Sequence, residues 1–484
     1  MLNVLLWLPV AVCLAVAVMP KRAAGPVSVI GSLGTLGLAI ALAIDFDSGV
    51  PGLQYVVDES WIAELGVRYQ LGMDGISLFL VVMTALLWTA CFTWASFRSP
   101  ERPRNFFLML GLAQFGTMGA FLAQDLLLFV AFFDLMLIPF FFLIGSYGTG
   151  DRVRATIKMM VYTLVGSLLM LVAAIATAVL AAPDGGEISF AMADLRANLL
   201  PEGSQDWIFC FFGAAFLVKM PSFPLHGWLV DAYRAAPLPV LALLSGVLSK
   251  VAAYGFLRVV LPIYPDATVQ FQDLILVIAT ASILYGSVMA FTQTNVRLIA
   301  GYSSIAQLGF ITLGIFSLTP DGADGAVLQM VNHAIVVVPT FLVIAILYER
   351  FGTDDLRGMG GAAKRAPVLA AMFLIVTMAT LAMPGSANFI GEFYILNGLF
   401  DSNTALAVVA TAGIAMAAFY ALRMFQLTMH NRLPVGAESR EVGWRDGVVL
   451  IPLVGVIIAM AFFPGVIIEH GEASVQDKIG AVAE

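Results

Sequence analysis

Apolar runs of roughly 18 residues or more recur along most of the chain, separated by short polar turns, and this pattern predicts membrane-spanning helices. About fourteen spans follow, near 2–19, 27–44, 76–97, 105–123, 125–147, 157–181, 206–229, 237–260, 270–292, 296–317, 325–348, 366–397, 403–429 and 446–467. The tightest connections are Ala123-Gln124-Asp125 and the turn from Thr292 to Asn295. Only the 45–75 and 182–206 loops have room for structure outside a bilayer. The predicted fold is all-α, a polytopic membrane protein.

Composition agrees with the pattern. Of 484 residues, 60% are hydrophobic and 12% charged, and the mean hydropathy of +0.94 lies far from that of a soluble globular chain. Lys and Arg number 24 against 32 Asp and Glu, a net charge of -8, with the surplus acid largely in short loops and the tail. There is no basic patch for nucleic acid. Cys13, Cys91 and Cys210 sit in apolar segments without CxxC or CxxH spacing and read as small buried hydrophobes rather than iron–sulfur or zinc ligands. Gly358-Met-Gly-Gly361 lacks the lysine and threonine of a phosphate cradle. The segment 2–19 has no basic residue before it and Lys21-Arg22 after it, so it reads as a retained span.

Charge also orients the chain. With odd-numbered loops on the cytoplasmic side, those loops hold 17 Lys and Arg, while the even loops and the C-terminal tail hold only Arg68, Arg196 and Lys478. An even number of spans follows, with both termini on the non-cytoplasmic side of a bacterial inner (plasma) membrane.

Two spans are interrupted alike. Lys219-Met-Pro-Ser-Phe-Pro-Leu-His226 carries Pro221 and Pro224, and Leu381-Ala-Met-Pro-Gly385 carries Pro384 and Gly385, so the seventh and twelfth spans are predicted to be discontinuous. Broken helices five spans apart imply two five-helix repeats of inverted topology. The division expected is an N-terminal three-helix segment with a periplasmic loop (1–104), a first repeat (105–260), an inverted second repeat (261–430), and a C-terminal helix and tail (431–484).

Ionisable side chains at membrane depth are costly and mark ion or proton paths. Asp134, Lys219, Lys250 and Glu392 all lie inside apolar stretches. Carbonyls released at the Pro221 break are expected to solvate the Lys219 ammonium, and Asp134, with nothing polar beside it in sequence, is expected to pair with Lys219. Glu392 follows the second break, as a terminal acid of the path or as a cap on the half-helix from Ser386. His333, mid-span, is placed to relay a proton between two waters. Tyr302, Ser303, Ser304 and Gln307 form a polar strip suited to ordered water. His226 follows the first break and reads as structural, while His430 and His470 lie at or outside span ends and carry no functional signal. Arg258 and Arg423 stand nearer helix ends, where long stems reach headgroups or neighbouring helices.

The motifs Asp134-Leu-Met-Leu-Ile-Pro139, Lys219-Met-Pro-Ser-Phe-Pro-Leu-His-Gly-Trp-Leu229, Arg297-Leu-Ile-Ala-Gly-Tyr-Ser-Ser304, Gln329-Met-Val-Asn-His333 and Phe389-Ile-Gly-Glu-Phe393 resemble those of one family over all the predicted spans. It is the antiporter-like, proton-translocating membrane-arm subunits of NADH:quinone oxidoreductase, respiratory complex I, of the type called chain M or subunit 4. The resemblance implies that Asp134 modulates Lys219, that Lys219 and Lys250 form the proton-holding centre, that His333 carries the hydrated middle, and that Glu392 is the exit-side acid. Three positions depart from the family. Asp134 stands where glutamate is usual, Gln307 where histidine is common in the Tyr-Ser-Ser motif, and Tyr233 where Asp-Ala-His is usual. A short tail beyond Pro464 sets the chain apart from the longer, distal member of the group.

The resemblance implies a subunit that binds no cofactor itself. NADH, FMN, iron–sulfur clusters and quinone are expected in partner subunits, and its own partners would be neighbouring antiporter-like membrane-arm subunits, lipids and protons. Two alternatives share these features: a subunit of a multi-subunit sodium/proton antiporter, and a membrane scaffold whose buried charges only lock subunits together.

Overall fold

In a bilayer every backbone N–H and C=O must find its partner within the chain, so apolar segments fold as helices with side chains outward. A computed structural model describes residues 1–50, 52–183, 186–434, 437 and 440–483. Its helices run in order α1 (Leu2–Val18), α2 (Ala24–Asp45), α3 (Gly75–Arg98), α4 (Pro103–Leu122), α5 (Leu126–Leu135), α6 (Leu137–Tyr147), α7 (Arg152–Ala181), α8 (Met192–Ala197), α9 (Glu202–Lys219) and α10 (Leu229–Ala235). There follow α11 (Leu238–Leu243), α12 (Ser249–Gly255), α13 (Leu261–Ile263), α14 (Pro265–Gln270), α15 (Gln272–Thr292), α16 (Val296–Phe316), α17 (Pro320–Phe351), α18 (Pro367–Thr380), α19 (Ala387–Ser402), α20 (Thr404–Met429), α21 (Trp444–Phe462) and α22 (Gly465–Ala483). Among the described residues eleven helical stretches are long and apolar enough to cross a membrane, and α1 and α18 are shorter apolar helices.

Three of those stretches, Leu238–Ile263, α16 and α17, are enclosed on all sides by the rest of the chain, whereas α2, α7, α20 and α21 expose most of their surface. The buried centre is therefore where ionisable groups can be shielded from lipid. Lipid tails are as apolar as leucine, so helix association here depends on close fit rather than on water release. Glycine supplies that fit between α17 and α19. A Cβ on Gly325 would lie 2.6 Å from the Ile395 nitrogen, and one on Gly391 would lie 2.4 Å from Gln329 Oε1.

Both proline breaks are present. The α9 ladder stops at Lys219, and Trp228 Nε1 donates to the freed carbonyl of Val218 at 2.9 Å. The second break runs from Thr380 to Ala387, with Gly385 at φ +88° in the left-handed region. A third interruption was not expected from sequence. The helix containing Asp134 ends at Leu135 and restarts at Leu137, because Pro139 has no N–H for the carbonyl at Leu135. The helix carrying Lys250 contains two π-helical turns, Leu244–Leu248 and Phe256–Val260, another feature the apolar pattern does not reveal.

The 45–75 loop is a β-hairpin, β1 (Gln54–Ile62) paired antiparallel with β2 (Val67–Met73), rather than irregular chain. Val, Tyr and Trp favour strand there. The Gln70 carbonyl accepts from the Gln124 N–H, so the hairpin covers the tight Ala123–Asp125 turn. Residues after Pro464 are likewise not a plain tail. They form α22, which returns over the N-terminus of α3, where the Gly75 N–H donates to Ser474 Oγ at 3.2 Å.

Candidate functional site

Lys219 is the last residue of α9, and its ammonium lies against the end of α5. Nζ donates to the Phe133 carbonyl at 2.7 Å and stands 3.8 Å from the Phe133 ring centroid. The last carbonyls of a helix lack intrahelical partners and carry the negative end of its dipole. Lys219 thus meets the C-terminal end of α5, which accounts for a cation held in a buried place. The expected Asp134–Lys219 ion pair does not form. Asp134 is half-buried, and its Oδ1 is buried without a hydrogen-bond partner.

Lys250 is fully buried on α12, next to the first π-helical turn. Its Nζ donates to the Ser245 carbonyl at 3.1 Å and to Ser249 Oγ at 3.2 Å. The same nitrogen lies 2.6 Å from His333 Nδ1 on α17. Two nitrogens this close share one proton, because two cations at this separation in a low-dielectric interior repel strongly. His333 is therefore a direct partner of Lys250 rather than a relay between two waters.

Beyond His333 lies a chain of amides. Gln329 Nε2 donates to Gln307 Oε1 at 2.7 Å, and Gln307 Nε2 donates to Glu392 Oε1 at 2.8 Å. These residues come from α17, α16 and α19, and all are buried. Glu392 does not cap its half-helix, since α19 starts at Ser386 without a side-chain cap. The polar strip on α16 divides. Ser304 accepts from Ser245 Oγ at 3.0 Å, on the Lys250 helix, and Ser303 donates to the Tyr420 hydroxyl at 3.0 Å. Tyr302 turns to another face, against Tyr285 and His226, and stands apart from the other three.

Other residues read as structural have clear partners. Arg258 does not reach a headgroup. It pairs with Asp74 at 2.5 Å with both side chains buried, and also bonds Gln124. Arg423 donates to the carbonyls of Phe291 and Gln293. Cys13 and Cys91 are buried as expected, but Cys210 is exposed on the outer face of α9. Among the described residues no cluster of His, Cys, Asp and Glu could hold a metal ion. Gln329, Asn332 and Asn388 were not picked out as site residues by sequence, because neutral amides carry no charge to stand out from an apolar run.

Comparison with known proteins places this geometry. The family described as "NADH:quinone oxidoreductase/Mrp antiporter, TM" matches residues 123–417. The chain belongs to that family. NADH-quinone oxidoreductase subunit M of Rhodobacter capsulatus is 33% identical, with 96% of this chain and 94% of the relative covered. Subunit M of Escherichia coli (strain K12) is 34% identical, covering 92% and 91%. A chain of the respiratory complex I from Thermus thermophilus with bound NADH superposes with a TM-score of 0.89 at 30% identity over the full length of both. A chain of the Mrp complex from Dietzia sp. DQ12-45-1b gives a TM-score of 0.85 at 20% identity, which shows the shared fold. Lys250, His333, Gln329 and Gln307 lie on the three most enclosed stretches of this chain.

Proposed function

We propose that this chain is a proton-translocating membrane-arm subunit of an NADH:quinone oxidoreductase, driven by redox chemistry in partner subunits that hold NADH, FMN, iron–sulfur clusters and quinone. The observation that carries the reading is the 2.6 Å contact of Lys250 with His333, wholly enclosed, one helical turn from the Gln329–Gln307–Glu392 hydrogen bonds. A proton taken up from the cytoplasm is held at Lys219, passes to the Lys250–His333 pair, and leaves by way of Glu392. Fourteen crossings with both termini on the non-cytoplasmic side of a bacterial inner membrane, and two inverted five-helix repeats broken at Pro221/Pro224 and Pro384/Gly385, complete the architecture.

Asp134 links the path to a neighbour. A half-buried carboxylate at membrane depth, lacking an ion pair in its own chain, is costly against lipid. An adjacent antiporter-like subunit presenting a cationic or protonatable group would satisfy it, and charge there would act on Lys219 through the end of α5. The energies are compatible. Moving one charge through 100 mV requires ~2.3 kcal/mol, and each tenfold change in proton affinity supplies ~1.4 kcal/mol.

The test replaces Lys219 or Lys250 with alanine in the intact complex, with assembly checked by native electrophoresis. NADH-driven quinone reduction and proton uptake are then measured in closed vesicles. Loss of both activities in an assembled complex supports the reading. Normal turnover with full proton translocation overturns it in favour of a scaffold, and translocation that follows a sodium gradient without NADH favours the sodium/proton antiporter.

A further inference from the structure

Three helices each contribute two polar side chains one turn apart: Ser303 and Gln307 on α16, Gln329 and His333 on α17, Asn388 and Glu392 on α19. The six form two layers. In one, Gln329, Gln307 and Glu392 are joined by direct hydrogen bonds. In the other, Ser303, His333 and Asn388 do not bond one another, and they line a cavity of ≈ 20 Å³. A water requires roughly 10–15 Å³ by this measure and two to four polar partners.

The cavity is surrounded by unmet hydrogen-bonding capacity. Asn388 is fully buried, yet both its Oδ1 and its Nδ2 lack a protein partner, and Asn332 Oδ1 and Ser386 Oγ nearby are in the same condition. A buried amide with neither atom satisfied costs several kcal/mol unless water completes it. Tyr420, which accepts from Ser303, also lines the cavity, so its own hydroxyl proton is free to be donated there. Lys250 occupies His333 Nδ1, which leaves Nε2 as the other ring nitrogen through which a proton can leave.

We propose that Asn388 is a positioning residue that holds one ordered water beside His333, in the cavity that Gln307, the amide bonded to Glu392, also lines. The inference rests on the proton-path reading above and supplies the step that Gln307, which cannot titrate, does not. The water accepts a proton from the His333 ring and releases another of its own toward Glu392, one turn further along α19, so it is unchanged after each passage. Asn388 donates to this water through Nδ2 and accepts from it through Oδ1, which fixes its orientation. Gln307 keeps the Glu392 carboxylate in place without carrying the proton.

The experiment compares Asn388→Leu and Asn388→Ser with wild type in the assembled complex in closed vesicles. It reads the rates of NADH oxidation and of proton translocation and the solvent deuterium isotope effect. Leucine fills the site with apolar bulk, and translocation should fall about tenfold, the lower end of the effect of leaving a buried polar partner unmatched, with a larger isotope effect. Serine leaves room for water and a hydroxyl to hold it, and should restore most of the rate. Wild-type behaviour of Asn388→Leu overturns the proposal, as does equal failure of both variants, which would mark a packing role. If Asn388→Leu does not assemble, high-resolution cryo-EM of the wild-type complex decides. A solvent peak within hydrogen-bond distance of Asn388 and His333 supports the water, and its absence where comparable buried waters are seen overturns it. Lys250→Ala runs alongside. If it leaves translocation intact, the proton-path reading itself fails; if it abolishes translocation while Asn388→Leu does not, only this inference fails.

Discussion

At Gln307 a neutral amide joins two helices to Glu392, accepting from Gln329 and donating to the carboxylate. Gln307→Leu would leave both neighbours buried and unmatched. A loss of ~1–3 kcal/mol is expected, read as a lower thermal midpoint of the assembled complex, whereas Gln307→His keeps a donor toward Glu392 and should retain most of that stability. Lys219, Lys250, His333 and Glu392 were legible from sequence because an ionisable group inside an apolar run is costly and stands out wherever a charge must be held or moved. Gln329, Asn332 and Asn388 were not. Amides are common in loops and helices alike, and only their convergence across α16, α17 and α19 gives them meaning. The Asp134–Lys219 pair shows the reverse limit. Two opposite charges at similar depth invite pairing, but backbone geometry at the end of α5 gives the ammonium a carbonyl and a ring in place of the carboxylate.

Among the helices, the approach of α17 to α19 determines whether the amide chain exists. Gly391→Val should force the pair apart, since even a Cβ would meet Gln329 Oε1 at 2.4 Å. Overpacking of this kind costs ~1–3 kcal/mol and would break the Gln307–Glu392 bond, so proton translocation should fall with stability. Gly37→Ala on α2, where nothing lies within 4 Å, should leave both unchanged. Differential scanning fluorimetry with vesicle proton uptake on the two variants checks the contrast. Breaks at Pro221, Pro224 and Pro384 could be read from the chain because proline cannot complete the ladder. The π-helical turns beside Lys250 could not, since no residue type demands them. The β-hairpin was also missed, its strand signal being short and set between much stronger apolar runs.

For the whole molecule, α22 closes the end of the bundle where α3 begins. Arg196 holds Asp477 with two bonds, at 2.9 and 2.7 Å, and Lys478 adds a third contact at 2.6 Å. Partial burial by itself would raise the Asp477 carboxyl, but hydrogen bonds from Arg196 and Lys478 hold it down to about 2. A depressed carboxylate contributes its stabilisation above the unfolded value, ~3.9, and loses it as pH falls through the folded one. Docking of α22 should thus be steady through neutral pH and loosen only in acid below about pH 4. Asp477→Asn should show faster amide exchange in α22 already at pH 7, measured by hydrogen–deuterium exchange of the complex. Equal exchange in the two forms would show that the ion pairs do not hold the helix.

By itself the sequence determined that this is a polytopic helical membrane chain, where two of its helices break, and which charged residues stand inside it. Each of these follows from local rules: apolar length, the missing N–H of proline, and the cost of a charge in hydrocarbon. Tertiary structure alone decided that Lys250 touches His333, that Asp134 makes no ion pair with Lys219, that Tyr302 leaves the polar strip, and that Gln329 and Gln307 are bonded in line with Glu392. Such contacts depend on the rotation of each helix and on how closely glycine lets it approach its neighbours. Those are properties of the packed bundle that no single segment encodes.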